Sequence, residues 1–205
     1  MFKASNLPLL IFLILCLNVV IYIRASLTIV PVDMVFGECA RNSGRTSAAI
    51  NLYMLFMVGH YGLKSIYADE KRKNVFRVLI TLFAVNHLVH FLFVSHYFKD
   101  KLLELNISHN LHGFITYLFI VAAPILLWRF NTLSKVLYYG IMLHLFNVTY
   151  LICITFYARY KPVDPAYLHR LGILVILAAL GYILYRIYRE RTIEFPRPQL
   201  CKPVA

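Results

Sequence analysis

The chain has 205 residues, of which 60% are hydrophobic and only 15% charged, and its mean hydropathy is +0.68. Soluble domains run nearer half apolar and a quarter charged, so this composition excludes a disordered tail, a coiled coil, a disulfide-stapled secreted module and an ordinary cytosolic enzyme. The net charge of +12 comes from 21 Lys and Arg against nine acids. It fits the Lys and Arg that gather in short cytoplasmic loops; no RNA- or DNA-binding signature accompanies it, and nucleic acid is not an expected partner.

The expected class is an all-α polytopic membrane helix bundle. A helix needs about 20 mostly apolar residues to cross the hydrocarbon, and six transmembrane helices are predicted at 7–23, 46–63, 75–98, 111–128, 136–158 and 171–187. The first follows Lys3 and runs to Arg24. Its apolar core is too long for a signal peptide and lacks a small-x-small cleavage site, so it is expected to be an uncleaved span. Span two holds His60 between Gly59 and Gly62, where a packing role is expected. The cluster Lys71-Arg72-Lys73 follows it.

Span three carries His87 and His90, three residues apart and therefore on one face. His96, His109 and His112 fall around the outer end of spans three and four, where an interfacial role is expected. Pro124 sits near the end of span four, and span five carries Gly140, His144 and Asn147. His169 follows a loop with proline and is expected in solvent. The tail holds Pro196, Pro198 and Pro203 and is too short to fold alone. Cys16, Cys39, Cys153 and Cys201 form no CxxC and imply neither a zinc site nor a disulfide framework.

Basic residues set the expected orientation. Thirteen of them, from Lys3 through Lys71–Lys73 to Lys202, fall on the side that holds both termini, and eight, including Arg24, Arg45 and Lys101, fall on the other. Both termini are therefore expected in the cytoplasm.

An ionisable residue at membrane depth marks a functional site by default, although a neutral imidazole can also serve only to join helices. Spans three and five run in the same direction. His87 lies 12 residues past Val75 and His144 lies 8 past Val136, about 18 and about 12 Å along their helices. With two to four residues of latitude at each span end, the two imidazoles can sit at nearly one level. Two neutral imidazoles facing each other across a bundle can hold a planar b-type haem by both axial positions. Ala84, Gly140 and Asn147 are small enough to let it approach. His90 can replace His87 as ligand, support it, or bond a propionate.

Two other classes fit parts of the chain. A membrane non-haem metal enzyme would use the HxxH pairs His87/His90 and His109/His112, but one pair lies mid-membrane and the other outside. A cofactor-free small transporter or structural subunit would make the histidines dispensable, and only Pro124 resembles a transporter's broken helix.

Asn42-Ser43-Gly44-Arg45-Thr46-Ser47-Ala48 opens span two, span three carries Asn86-His87-Leu88, and span five carries Leu143-His144-Leu145-Phe146-Asn147-Val148-Thr149-Tyr150. In order and spacing these segments resemble the ferric-reductase-like transmembrane domain family. Within it the likeness runs to the haem-binding membrane subunit of the bacterial periplasmic methionine sulfoxide reductase system, over roughly residues 40–187.

The resemblance implies a haem-b bundle at 41–190, after a first helix and outer loop at 1–40 and before a short cytoplasmic tail at 191–205. It implies electron transport across a bacterial inner membrane, with His87 and His144 matching the family's ligands. Arg45 would pair a propionate or dock an acidic partner. Tyr157 stands where relatives often carry a further His, and span three offers only His90 and His96 for a second site, so one haem is expected. The chain carries no flavin or nicotinamide domain. The expected donor is therefore a quinol or a separate flavoprotein, and the expected acceptor a periplasmic or extracellular redox partner, which makes the chain an electron-transfer subunit of an oxidoreductase system.

Overall fold

The structure is a computed structural model that describes residues 4–29, 32–99, 107–158 and 166–191. Lys3, Lys101, Arg159, Lys161, Cys201 and the proline-bearing tail lie outside the described residues, as does the side chain of His109. A 3-10 turn at Ala4–Asn6 leads into α1 (Leu7–Thr28), α2 (Val32–Tyr61), α3 (Leu63–Ala68), α4 (Glu70–Tyr97), α5 (Ile107–Arg129), α6 (Lys135–Ala158) and α7 (Ala166–Glu190). The architecture is all-helical. Helices α1, α4, α5, α6 and α7 are long and apolar enough to cross a membrane, and the chain is read as an integral, multi-pass membrane protein.

Helix α2 departs from expectation. A span was predicted at 46–63, but the helix begins at Val32, stops at Tyr61 and has no stretch apolar enough to stand beside the other five. The expected division at residue 40 falls inside it. Most of its polar side chains find partners within the helix or on its neighbours, although Asn51 Oδ1 is buried without one. Arg41 pairs with Glu38 at 2.9 Å, and Asn42 Nδ2 donates to Glu38 Oε1 at 2.9 Å. Ser43, Ser47 and Asn51 are buried because α2 is central and packs on α1, α4, α6 and α7. A helix that meets protein on most sides does not need an apolar surface.

The opposite case is α1, which is apolar almost all round. Phe12, Val19 and Val20 are exposed, as suits a lipid-facing helix. A single polar residue turns one face inward: Asn18 is buried and donates from Nδ2 to Asn86 Oδ1 of α4 at 2.8 Å. Two turns further, Ala25 packs on Val35 and Cys39 of α2.

Cross-helix contacts fix the directions. Ser43 meets His90 and Ser47 meets His87, so α2 and α4 are antiparallel. Arg77 meets Phe130 and His87 meets Tyr117, so α4 and α5 are antiparallel too. Tyr138 meets Glu190 and Phe156 meets His169, which pairs α6 with α7 in the same sense.

Three helices finish at one end of the bundle, and basic side chains close their carbonyls. Arg186 donates to Gly59 O and His60 O at the end of α2. Arg77 Nη2 donates to Phe130 O past α5 at 2.9 Å, and Lys64 Nζ to Glu190 O at the end of α7 at 3.2 Å. The last carbonyls of a helix lack partners and carry partial negative charge, so cations there are doubly favourable.

Asp69 caps the start of α4, its Oδ1 accepting from Lys71 N at 2.8 Å and Arg72 N at 3.1 Å. The Arg72 amide bond, followed by that of Lys71 and the Arg72 and Lys71 charges, holds the carboxyl below the ordinary aspartate value. A folded value below the unfolded one means the contribution is complete above the unfolded pKa and lost as pH falls through the folded one. Thermal melts from about pH 6 to about pH 3 should therefore show an acid loss in the wild type that is shallower in Asp69→Asn, which keeps a cap but cannot titrate. Identical acid limbs would contradict this.

Candidate functional site

His87 stands on α4 and His144 on α6. These two helices are not among the closely packed pairs; α2 and α5 each pack on both. Both histidines therefore stand on helices that border an interior bounded by four helices.

The His87 ring lies between Phe83, with centroids 5.2 Å apart and planes at 24°, and Tyr117 of α5 at 5.0 Å. Its Nδ1 is 3.2 Å from Ser47 Oγ, which leaves Nε2 on the other side of the ring. His90 is 5.2 Å from His87, centroid to centroid, and its Nδ1 is 3.1 Å from Ser43 Oγ. Ser43 donates its own proton to Ala40 O at 3.3 Å. The serine therefore accepts from His90, which puts the proton on Nδ1 and the lone pair on Nε2. Gly44 makes this approach feasible, since a Cβ there would sit 3.1 Å from His90 Cε1.

His144 is 7% exposed, and its buried Nδ1 has no hydrogen-bond partner. Buried polar atoms are seldom left unpaired, so this nitrogen marks a place where a group is wanted. Half-buried Gly113 adds space on α5, one turn from Tyr117: a Cβ there would meet nothing within 4 Å. Among the small residues expected to make room, Ala84 is in the core and Gly140 lies on the exposed side of α6.

Asn147 belongs to a separate circuit. Thr116 Oγ1 donates to His112 O at 2.8 Å and so accepts from Asn147 Nδ2 at 2.7 Å. Asn147 Oδ1 then accepts from His112 Nε2 at 2.7 Å, which fixes that tautomer.

The structure does not bring Arg45 to the histidines. It is exposed, and its Nη1 reaches back to Asn42 Oδ1 at 3.4 Å. His60 is exposed, edge-on to Tyr61. His96 stacks on Phe36 at 4.9 Å. His169, expected in solvent, stacks instead on Phe156 at 4.4 Å. Tyr138 is buried on Glu190 at 3.0 Å, while Tyr150 and Tyr157 are exposed. Sequence reasoning did not single out Asn18 or the two serines as partners of the site. Two signals pointed to them: the i, i+4 spacing of Ser43 and Ser47, and the isolation of one asparagine within α1.

Among the described residues no three His, Cys, Asp or Glu side chains gather into a metal-binding group. Compared with known proteins, the chain matches no family model, no curated protein and no solved structure.

Proposed function

We propose that this chain is a membrane haem-b electron-transfer protein of a bacterial inner membrane, with six spans, α2 among them, and both termini in the cytoplasm. The observation that carries the reading is the pair His87 and His144. They stand on two helices held apart by their neighbours, with one imidazole nitrogen bonded to Ser47 and another buried without a partner. Two histidines suffice as axial ligands, whereas a non-haem iron or zinc enzyme needs a larger cluster.

His87 and His144 would hold the group, and haem would supply a one-electron iron couple at that place. The chain's own part is ligation and exclusion of water. Fully buried Phe83 and Leu145 and nearly buried Ala84 keep the surroundings apolar, and Ser47 orients His87. Donor access is supported by a pocket of about 360 Å³ at the Lys71–Lys73 end, lined by Tyr53, Phe56, Met57, His60, Tyr61 and Arg72. Its aromatic walls and polar rim suit a quinol ring. The acceptor would take the electron at the opposite end.

The test is the visible spectrum of detergent-purified protein, oxidised and dithionite-reduced, for wild type, His87→Ala, His90→Ala and His144→Ala. A sharp reduced α-band that is lost in His87→Ala and His144→Ala but kept in His90→Ala is expected. A colourless wild type, expressed with haem available, would defeat the reading in favour of a cofactor-free subunit, and loss in His90→Ala alone would move the ligand one turn along α4.

A further inference from the structure

We infer that Asn18 of α1 is a positioning residue for His87, acting through Asn86 and Ser47; the inference rests on the haem reading above. Asn86 is fully buried and donates from Nδ2 to Ser43 O at 2.9 Å and to Ser47 Oγ at 2.8 Å. A backbone carbonyl can only accept, so the atom facing Ser43 has to be the amide nitrogen. That leaves Asn86 Oδ1 facing α1, where it needs a donor.

Asn18 supplies one. Its Nδ2 has two hydrogens, one for Asn86 Oδ1 at 2.8 Å and one for Ile14 O at 2.8 Å. Both targets are acceptors, so neither amide can turn over without setting oxygen against oxygen. The two asparagines thus lock each other, and the lock reaches α2 at Ser47.

Ser47 Oγ has two acceptor sites. One takes the Asn86 N–H, and the other faces His87 Nδ1 at 3.2 Å. Were Nε2 to hold the iron, the ring proton would be on Nδ1 and Ser47 would accept it. An N–H held this way fixes the ring's rotation and makes the imidazole a stronger donor to the metal. Phe83 and Tyr117 flank the His87 ring, so its polar anchor is Ser47. Helix α1, apolar from Leu7 to Ile23 apart from Asn18, contributes to the site through this side chain.

The experiment compares haem affinity and midpoint potential in wild type, Asn18→Leu, Asn18→Gln and Ser47→Ala, with Phe12→Leu on the lipid face as control. Losing such an outer partner weakens metal-site affinity about 10–100-fold. Ser47→Ala should fall in that range and shift the potential upward, because a less basic imidazole stabilises ferric iron less. Asn18→Leu should shift it in the same direction by less, Asn18→Gln should return towards wild type by keeping the amide donor, and Phe12→Leu should do nothing. A purely structural role would lower yield without moving the potential of the protein that folds. Haem-loaded Asn18→Leu at wild-type potential and affinity would overturn the positioning role and leave the haem reading standing. If Asn18→Leu does not accumulate, an unmoved potential in Ser47→Ala overturns it equally. A wild type that takes up no haem would overturn both.

Discussion

Gly62→Val is expected to destabilise the protein by about 3–5 kcal/mol, from two independent causes. Gly62 joins α2 to α3 at φ 77°, ψ 146°, a region that residues with a Cβ enter only under strain of about 1–3 kcal/mol, and a β-branched residue fares worst. A Cβ there would also run into the Glu190 carboxylate. That carboxylate cannot simply move aside, because it is buried and accepts from Tyr138 OH at 3.0 Å. Breaking a buried hydrogen bond of this kind costs about 1–3 kcal/mol.

Thermal unfolding followed by fluorescence-detected size exclusion would measure the loss. The two causes separate in a Glu190→Ala background, where the collision disappears and only the backbone strain remains. The penalty for Gly62→Val should there fall to about half. A Gly62→Val protein as stable as wild type would mean that the α2–α3 junction is not the one described. The junction also matters for the histidines. Arg186 closes the Gly59 and His60 carbonyls beside it, so the turn sets where α2 ends and how its serine face meets α4.

Hydropathy located α1 and α4 to α7 because those helices meet lipid over much of their surface, and a lipid-facing helix must be apolar along its length. It located only the C-terminal half of α2. Residues such as Glu38, Asn42 and Ser43 break the apolar pattern, and their partners lie on the same helix or on a neighbour. A sliding window cannot see either. The shared face of His87 and His90 was legible from a three-residue spacing alone. What each ring bonds was not, because pairing Ser43 with His90 and Ser47 with His87 depends on the register of two antiparallel helices.

Charge behaved in the same way. The basic residues could be counted toward an orientation from sequence, but their contacts required the fold. Arg186, Arg77 and Lys64 are spent on the carbonyls of helices far away in the chain. Glu190 falls just beyond the last predicted span at 171–187; the structure buries it beside Tyr138. Burial also lowers the Lys64 pKa from its ordinary value, with the Glu190 charge opposing the shift.

Arg77→Met is expected to cost about 2 kcal/mol, Lys73→Met about 1 kcal/mol, and the double variant less than their sum. Both side chains are nearly buried, 5% and 3% exposed, and both address the residues that follow α5. Arg77 donates to Phe130 O at 2.9 Å and reaches Asn131 Oδ1 at 3.5 Å. Lys73 donates to the same Oδ1 at 2.7 Å and to Glu70 Oε1 at 2.5 Å. Hydrogen bonds from charged groups contribute about 1.5–3 kcal/mol, which sets the scale for Arg77. Lys73 falls lower because Glu70 is 67% exposed, and an exposed carboxylate that loses its partner is simply hydrated. The shared acceptor makes the pair non-additive. Once either cation has gone, Asn131 is held by the other alone, and removing that one from a site already loosened takes less. A coupling of about 0.5–1 kcal/mol between neighbours that share one partner is the expected result. Strict additivity would show that the two cations act on the α5 end separately, one through Phe130 and the other through Glu70, with Asn131 indifferent to both. Arg77→Lys should recover only part of the Arg77→Met loss, because the guanidinium also stands over the Trp128 ring, 5.4 Å from its centroid, and an ammonium cannot reproduce that planar contact.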